Sequence, residues 1–193
     1  MWTYEEIDKY LRCHLTEDRV KHSLGVVETA EKLAELYGVS KEKAKLAALI
    51  HDCAKNMRID RQLSLLKDNG ILIDEVSENS PQVLHGKVGA IIGKNLMGIE
   101  DEEILSAVEF HTTGKKDMSI LEKIIYIADY IEPNREYPGI KELREITFKN
   151  LDEGVIKGFN NTITHVIKLG QLIHPLTIEA RNDLLLKNKE KNS

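Results

Sequence analysis

The chain has 193 residues, of which 41% are hydrophobic and 31% are charged, and its formal net charge at neutral pH is -5. This length and balance predict one globular domain and exclude a fibrous or intrinsically disordered chain. The negative charge argues against a general nucleic-acid surface, because neutralising backbone phosphates requires clustered lysine and arginine in excess.

Apolar residues recur at helical spacing along almost the whole chain, which predicts an all-α fold. In chain order, the predicted helices span residues 3–14, 17–37, 41–54, 60–69, 81–97, 101–112, 120–131, 140–147, 151–169 and 175–188. The short segment ILIDEV at 71–76 is the one weak strand-like alternation. We therefore expect a single bundle of about ten helices over residues 1–188, with a frayed tail at 189–193.

Local signals mark many of these helix boundaries. Capping-box spacing, which satisfies free amides at a helix start, occurs at Thr3–Glu6, Ser119–Glu122 and Asn150–Glu153. Proline stands at a predicted first helical position in Ser80-Pro81 and His174-Pro175. The glycines predicted to end helices are Gly38, Gly70, Gly98, Gly114 and Gly170.

A His-Asp dipeptide, His51-Asp52, lies on the last turn of the predicted helix 41–54. Adjacent residues differ by ~100° around a helix, so both side chains reach one point only if it lies beside that turn, as a metal ion could. The dipeptide alone is a weak signal, because a surface pair is the commoner outcome. The further candidate ligands, spread over other predicted helices, are His22, His85, His111 and Asp129.

Asp129 lies in the apolar segment IIYIADYIEP, where an unpaired carboxylate would be costly to desolvate. It therefore needs a cation, which a metal ion or an arginine would supply. For each histidine taken singly, a hydrogen-bonded core residue is the alternative to a ligand. The spacing of these residues leaves both alternatives open.

The H…HD…D pattern on an all-α chain resembles the HD superfamily of metal-dependent phosphohydrolases, and His85 and His111 resemble the extra histidines of some of its variants. The chain is most similar to the YqeK family over about residues 20–183, in the segments HSLGVVETAEKLAELYG, AALIHDCAKN, LHGKVGA, FHTTG, LEKIIYIADYIEPNR, NNTI and QLIHPLTIEARN. The resemblance implies an HD-domain helical bundle that hydrolyses diadenosine tetraphosphate symmetrically to two ADP, with iron as the metal.

The resemblance also implies roles for individual residues. The principal metal ligands would be His22, His51, Asp52 and Asp129, with His85 and His111 as ligands of a second site. The catalytic residues would be Asp52 and Lys55, with metal-bound hydroxide attacking an inner phosphorus. One or two iron ions are expected, and manganese or cobalt could substitute, since imidazole and carboxylate ligands suit all three metals.

The same resemblance implies the substrate contacts His22, Asp52, Lys55, His85, His111, Thr112, Arg135, Ile173, His174 and Thr177. Lys55 follows His51 by four residues, so a continuing helix would place its ammonium on the metal side. Arg135 could grip a phosphate through two parallel hydrogen bonds. The alternatives are a solvated lysine, a surface arginine and, for His174, a helix cap.

Two other functions remain open at this point. The chain could be an HD phosphohydrolase for another nucleotide, such as a monophosphate, a cyclic dinucleotide or a guanosine polyphosphate, or a nucleotide-binding sensor without turnover. The expected partners are a dinucleoside polyphosphate substrate and a nucleoside diphosphate product, with neither nucleic acid nor membrane. Two distant cysteines and no apolar leader favour the cytoplasm, and a dimer is the working expectation for the oligomeric state.

Overall fold

The computed structural model describes residues 1–191, with side chains through residue 190, and this range is all-helical as predicted. It contains one 3-10 turn, Pro81–Val83, between the fifth and sixth of its eleven α-helices. The α-helices are α1 (Tyr4–His14), α2 (Glu17–Tyr37), α3 (Lys41–Ile50), α4 (Ile59–Asp68), α5 (Glu75–Asn79), α6 (Leu84–Asn95), α7 (Glu102–Phe110), α8 (Ile120–Ile131), α9 (Ile140–Lys149), α10 (Leu151–Lys168) and α11 (Pro175–Lys191).

The helix boundaries set by local hydrogen bonding agree with the sequence. Thr3 and Ser119 form complete capping boxes at α1 and α8, and the Asn150 side chain accepts the Glu153 amide at the start of α10. All five predicted stop glycines have positive φ, between 64° and 73°. Glycine populates this left-handed region without the cost that a Cβ imposes.

The weak strand-like alternation at 71–76 does not form a strand. Asp74 instead begins the short helix α5, because its carboxylate accepts hydrogen bonds from both the amide and the hydroxyl of Ser77. No partner strand exists within residues 1–191. The segment therefore has nothing to pair with as a strand, and it satisfies its amides locally.

The predicted helix 41–54 also ends earlier, at Ile50. The His51 ring contacts the Ala48 carbonyl at 2.6 Å, and this oxygen would otherwise accept the next helical amide. Residues 51–56 then form tight turns. At the other end of the chain, α11 includes residues 189–191 of the predicted tail, and residues 192–193 lie outside the described part.

The core forms where α2, α3 and α8 pack against one another, with α7 against α3 and α8 and α6 against α7. The largest fully buried side chains include Leu33, Ile50, Ile125 and Phe159. In the described part of the chain, no helix is both long and apolar enough to cross a membrane. This packing brings the ends of α3 and α7, the start of α6 and the interiors of α2 and α8 to one place.

Glycines on one face of α6 allow its close approach to neighbouring helices. A Cβ added at Gly86 would lie 2.6 Å from the Glu109 carbonyl oxygen and 3.3 Å from the His111 ring. At Gly93 the nearest atoms would be the methyl ends of Ile50 and Leu105, at 3.1 and 3.2 Å. Backbone cannot move aside as a flexible side chain can, so Gly86 is the position where a side chain is least tolerated.

We therefore expect Gly86→Ala to lower the free energy of unfolding by about 1–3 kcal/mol, despite alanine's better helix propensity. Gly93→Ala is the matched control on the same helix and should cost less. Urea denaturation of both variants gives the comparison. Equal stability of the two variants would contradict the proposed close packing of α6 on the α7 backbone.

Candidate metal centre

Six polar residues that are distant in the sequence converge at the meeting point of five helices. Asp52 and the four histidines are buried, and Asp129 is partly exposed. His22 and Asp129 come from the interiors of α2 and α8, and the rest come from helix ends. The six residues are His22, His51, Asp52, His85, His111 and Asp129.

Three of the histidines make the same local hydrogen bond. In each, Nδ1 lies within 2.8 Å of the carbonyl oxygen three residues earlier: 2.6 Å for His51, 2.7 Å for His85 and 2.7 Å for His111. A carbonyl only accepts, so Nδ1 carries the proton in all three rings. The lone pair is therefore on Nε2, the nitrogen that faces the other rings.

His22 reaches the same tautomer through a side chain. Its Nδ1 lies 3.2 Å from Oε1 of Glu132, a carboxylate that is almost fully buried at the end of α8. The other Glu132 oxygen accepts from the amide and side chain of Asn134. A side chain at Gly25 would collide with this oxygen, so glycine makes room for the buried carboxylate.

The Nε2 atoms and two carboxylates face one another at short range. Asp52 Oδ1 lies 3.0 Å from His85 Nε2 and 3.6 Å from His111 Nε2. Asp52 Oδ2 lies 3.8 Å from His51 Nε2 and 3.9 Å from His22 Nε2. Lone pairs and carboxylate oxygens repel one another unless a proton or a cation lies between them.

The buried atoms without hydrogen bonds fit a metal ion. Among the described residues, Nε2 of His22 and Nε2 of His51 are buried without a hydrogen bond, and His22 Nε2 also lies 3.0 Å from Asp129 Oδ1. An unpaired buried acceptor is costly. Two sets of ligand atoms lie within 4.8 Å of one another: His22, His51 and Asp129, and His51, Asp52 and His111. Imidazole nitrogen with carboxylate oxygen is a donor set suited to first-row transition metals.

The protonation states also suit a metal. Burial lowers the pKa of His51 to about 4 and lowers that of His85. Burial opposes ionisation of Asp52 and Asp129, but the surrounding histidines hold both carboxyl pKa values well below the usual range. At His22 burial lowers the pKa, and contacts with Asp129 and Glu132 outweigh it and raise the pKa. Ionised carboxylates and neutral imidazoles are the forms that bind metal, so His22 must release its extra proton when an ion binds.

Two predicted cations lie beside the cluster. Although α3 ends before it, Lys55 still places Nζ 3.2 Å from His85 Nε2 and 3.9 Å from Asp52 Oδ1. Burial lowers the pKa of this ammonium. Arg135 hydrogen-bonds the Asp129 carboxylate at 3.0 Å, so the arginine partner considered for Asp129 is present.

Sequence reasoning missed two residues of the site. Arg19 Nη1 lies 3.1 Å from Asp52 Oδ2, and Glu132 holds His22. Arg19 precedes His22 by three residues and Glu132 follows Asp129 by three. Residues three apart share a helix face, so a search one turn away from each candidate ligand would have named both as candidates, without their partners.

Two of the remaining predicted substrate contacts, Thr112 and His174, lie beside the 3-10 turn and α5. Thr112 donates to the Val83 carbonyl, and Ile173 is partly exposed in the loop before α11. His174 Nε2 lies 3.2 Å from Ser77 Oγ, and its Nδ1 accepts the Leu176 amide, so it does act as a helix cap. Thr177 is buried in the first turn of α11. Their contacts are structural, and their roles toward substrate stay predictions.

Comparison with known proteins decides the family. The HD domain family matches residues 19–134, which is more than half of the chain and includes His22, His51, Asp52 and Asp129. The chain belongs to the HD domain family. The family predicted from the sequence motifs is thereby confirmed.

Relatives of this HD domain protein match nearly its full length. It is 43% identical to the symmetrical bis(5'-nucleosyl)-tetraphosphatase of Halalkalibacterium halodurans, over 91% of this chain and 94% of the relative. It is 36% identical to the protein of the same name from Bacillus subtilis, over 94% and 97%. A solved structure of a "predicted HD superfamily hydrolase involved in NAD metabolism" from Clostridium acetobutylicum is 46% identical, with a TM-score of 0.95 over 97% of this chain and 99% of that one.

The contact between Glu132 and His22 predicts an effect on metal affinity. In Glu132→Gln, a neutral side-chain amide would replace the carboxylate that accepts hydrogen bonds from His22 and Asn134. The His22 ring should therefore lose its fixed orientation. Loss of such a partner weakens metal binding by about 10–100-fold. Titration of metal-stripped protein with Mn²⁺ or Co²⁺ measures the change.

Glu122→Gln provides the matched control. Glu122 is another buried carboxylate on α8, but its partners are Lys115, Ser106 and the Ser119 amide. This variant should lose stability and keep its metal affinity. Equal metal affinity in both variants would show that Glu132 does not orient His22.

Proposed function

We propose that this HD domain protein is a metal-dependent hydrolase that cleaves diadenosine tetraphosphate symmetrically into two ADP. The observation that carries the proposal is the convergence of imidazole and carboxylate groups, with unpartnered Nε2 atoms, beside an ammonium and two guanidinium groups. The names of the two full-length tetraphosphatase relatives support the choice of substrate. Neither alternative function has a comparable observation in its favour.

We assign the principal ion to His22, His51, Asp52 and Asp129, and we propose iron as the metal, with manganese or cobalt as substitutes. When bound, such an ion lowers the pKa of its water from 15.7 toward ~7 and offsets charge on phosphoryl oxygens. His22 is oriented by Glu132 and His51 by the Ala48 carbonyl. These contacts fix the ligands before any ion or substrate binds.

His85 and His111 remain candidate ligands of a second ion through Asp52 Oδ1. The position of Lys55 favours one ion, because its ammonium already places a positive charge beside His85 and Asp52 Oδ1. In this arrangement Lys55 contacts phosphate oxygens of the substrate, and His85 and His111 do so when a proton on Nε2 makes each ring a donor. Thr112, Ile173, His174 and Thr177 remain the proposed contacts at the nucleotide end.

The reaction follows from the position of the scissile bond. Water adds to one inner phosphorus, the bond from that phosphorus to the central bridging oxygen breaks, and the second ADP leaves on that oxygen. Asp52 lies at the centre of the cluster and holds the reacting groups in place. Lys55 and Arg135 offset the charge that develops on the phosphoryl oxygens, an effect that is large in a site shielded from water.

Two wider expectations stay proposals. Unpaired Cys13 and Cys53 suit a reducing cytoplasm. A dimer remains the working expectation for the oligomeric state.

Product analysis tests the function directly. Purified protein supplied with Fe²⁺, Mn²⁺ or Co²⁺ should convert diadenosine tetraphosphate to ADP alone, and a chelator should abolish the activity. Asp52→Asn, which keeps the side-chain size, should remain folded and lose turnover because the central carboxylate charge is gone. Chromatography of the nucleotides identifies the products.

Parallel incubations separate the alternatives. ATP with AMP as products would contradict symmetric cleavage, and preferred hydrolysis of NAD or of a nucleoside monophosphate would contradict the substrate. Binding of diadenosine tetraphosphate without turnover, with every metal tested, would favour the sensor.

The contacts of Lys55 predict a separate effect. Lys55→Ala should keep its metal and lose about 10²–10³-fold in kcat, as expected when one charge-stabilising donor is removed from an active site. Lys67→Ala, an exposed lysine on α4, is the control and should behave as the wild type. Metal content and steady-state kinetics of both variants give the test, and an unchanged kcat for Lys55→Ala would exclude the assigned role.

A further inference from the structure

A cavity of about 530 Å³ opens beside His22, between the first turn of α2 and the loop that follows α8. Its volume is within the range of ~300–1,000 Å³ that is common for ligand pockets. The proposed function uses His22 and Arg135 and gives no ligand to the part of the cavity that Arg19 and Lys21 line. Its walls and its relation to Asp52 indicate what it binds.

The two oxygens of Asp52 divide the centre into two sides. On the Oδ1 side lie His85, His111 and Lys55, at 3.0, 3.6 and 3.9 Å. On the Oδ2 side lie Arg19, at 3.1 Å, and His51 and His22, at 3.8 and 3.9 Å. A cationic side chain therefore flanks each side of the same carboxylate, and only the Arg19 side includes the cavity.

Cationic groups predominate in the cavity wall. Arg19, Lys21 and Arg135 line it, against the carboxylates of Asp18 and Glu132. Both oxygens of the Glu132 carboxylate already accept hydrogen bonds, from His22 and from Asn134.

The guanidinium of Arg19 retains free donors. Within the described residues, Arg19 hydrogen-bonds only through Nη1, and its side chain is 36% exposed. Nε and Nη2 therefore remain available for a ligand. A planar guanidinium with free donors is the group best suited to bind a phosphate in two-point fashion.

The start of α2 adds a second anion-binding feature to the same wall. Thr16, the N-cap residue, lines the cavity, and its side chain makes no capping hydrogen bond to the first-turn amides. Free amides at a helix start favour phosphate.

Symmetric cleavage requires two anion sites. The scissile bond lies at the middle of the tetraphosphate, so each half carries two phosphates and the halves lie on either side of this bond. Lys55 serves one side. The cavity offers the matching charges on the other side, at the opposite oxygen of Asp52.

We propose that this cavity binds the diphosphate of the second nucleotide half, with Arg19 as its phosphate-binding residue and Arg135 at the border between the two halves. The inference rests on the proposed function. It assigns a substrate contact to Arg19 and accounts for cleavage at the centre of the tetraphosphate.

Binding measurements on Arg19→Gln test the inference. The probes are ADP and a diadenosine tetraphosphate analogue with a methylene group in place of the central bridging oxygen. In calorimetry, wild-type protein should bind two ADP per chain, and Arg19→Gln should bind one. Affinity for the analogue should fall by about 10-fold or more in this variant, and Arg19→Lys should recover part of it.

Arg12→Gln is the matched control, because Arg12 is an exposed arginine on α1 that pairs with Asp8. It should bind both probes as the wild type does. Metal content is measured in parallel, because Arg19 also contacts Asp52. Lower metal content in Arg19→Gln with unchanged affinity for both probes would make Arg19 a positioning residue for Asp52 and overturn the inference.

Kinetics separate this inference from the proposed function. If wild-type protein produces no ADP from diadenosine tetraphosphate, the proposed function fails. If the wild type is active and Arg19→Gln has the same KM and the same affinity for the analogue, only the assignment of the cavity fails. A raised KM with ADP as the product supports both.

Discussion

A fixed proton on Nδ1 of four buried histidines is the constraint on which the site depends. In three of the rings a backbone carbonyl three residues earlier accepts this proton, and at His22 the buried Glu132 accepts it. In the neutral form of each ring, Nε2 is thereby left as a lone pair facing the others and the carboxylates of Asp52 and Asp129. Such an arrangement is unfavourable without a cation, so the fold itself creates the affinity for one.

Burial keeps His51 in its metal-binding, neutral form at neutral pH. It lowers the pKa of His51 to about 4, so this ring does not need to lose a proton before it can bind a metal ion. Burial alone would raise the carboxyl pKa values of Asp52 and Asp129, but the neighbouring histidines keep both pKa values low. The close approach that buries these groups depends on small residues, such as Gly86 against the α7 backbone and Gly25 against Glu132.

The charges around Asp52 connect this centre to its proposed substrate. Lys55 lies on the side of one carboxylate oxygen and Arg19 on the side of the other, with the cavity next to Arg19. A polyanion that spans the ion would meet a cation on each side. Such a two-sided arrangement favours cleavage at the middle of a tetraphosphate. Through Arg19, the first turn of α2 would then contribute to which products the reaction gives.

The sequence by itself determined the helical class, the candidate ligands and most helix boundaries, because capping boxes and left-handed glycines act within a few residues. The start of α5 at Asp74 and the early end of α3 at Ile50 were missed, since a single side chain competing for a backbone group decides each of them. Only the tertiary structure decided that Arg19 faces Asp52 and that Glu132 holds His22, which are contacts between residues 33 and 110 positions apart. Periodicity shows which face of a helix is buried, but the partner that a side chain meets there depends on how distant helices pack.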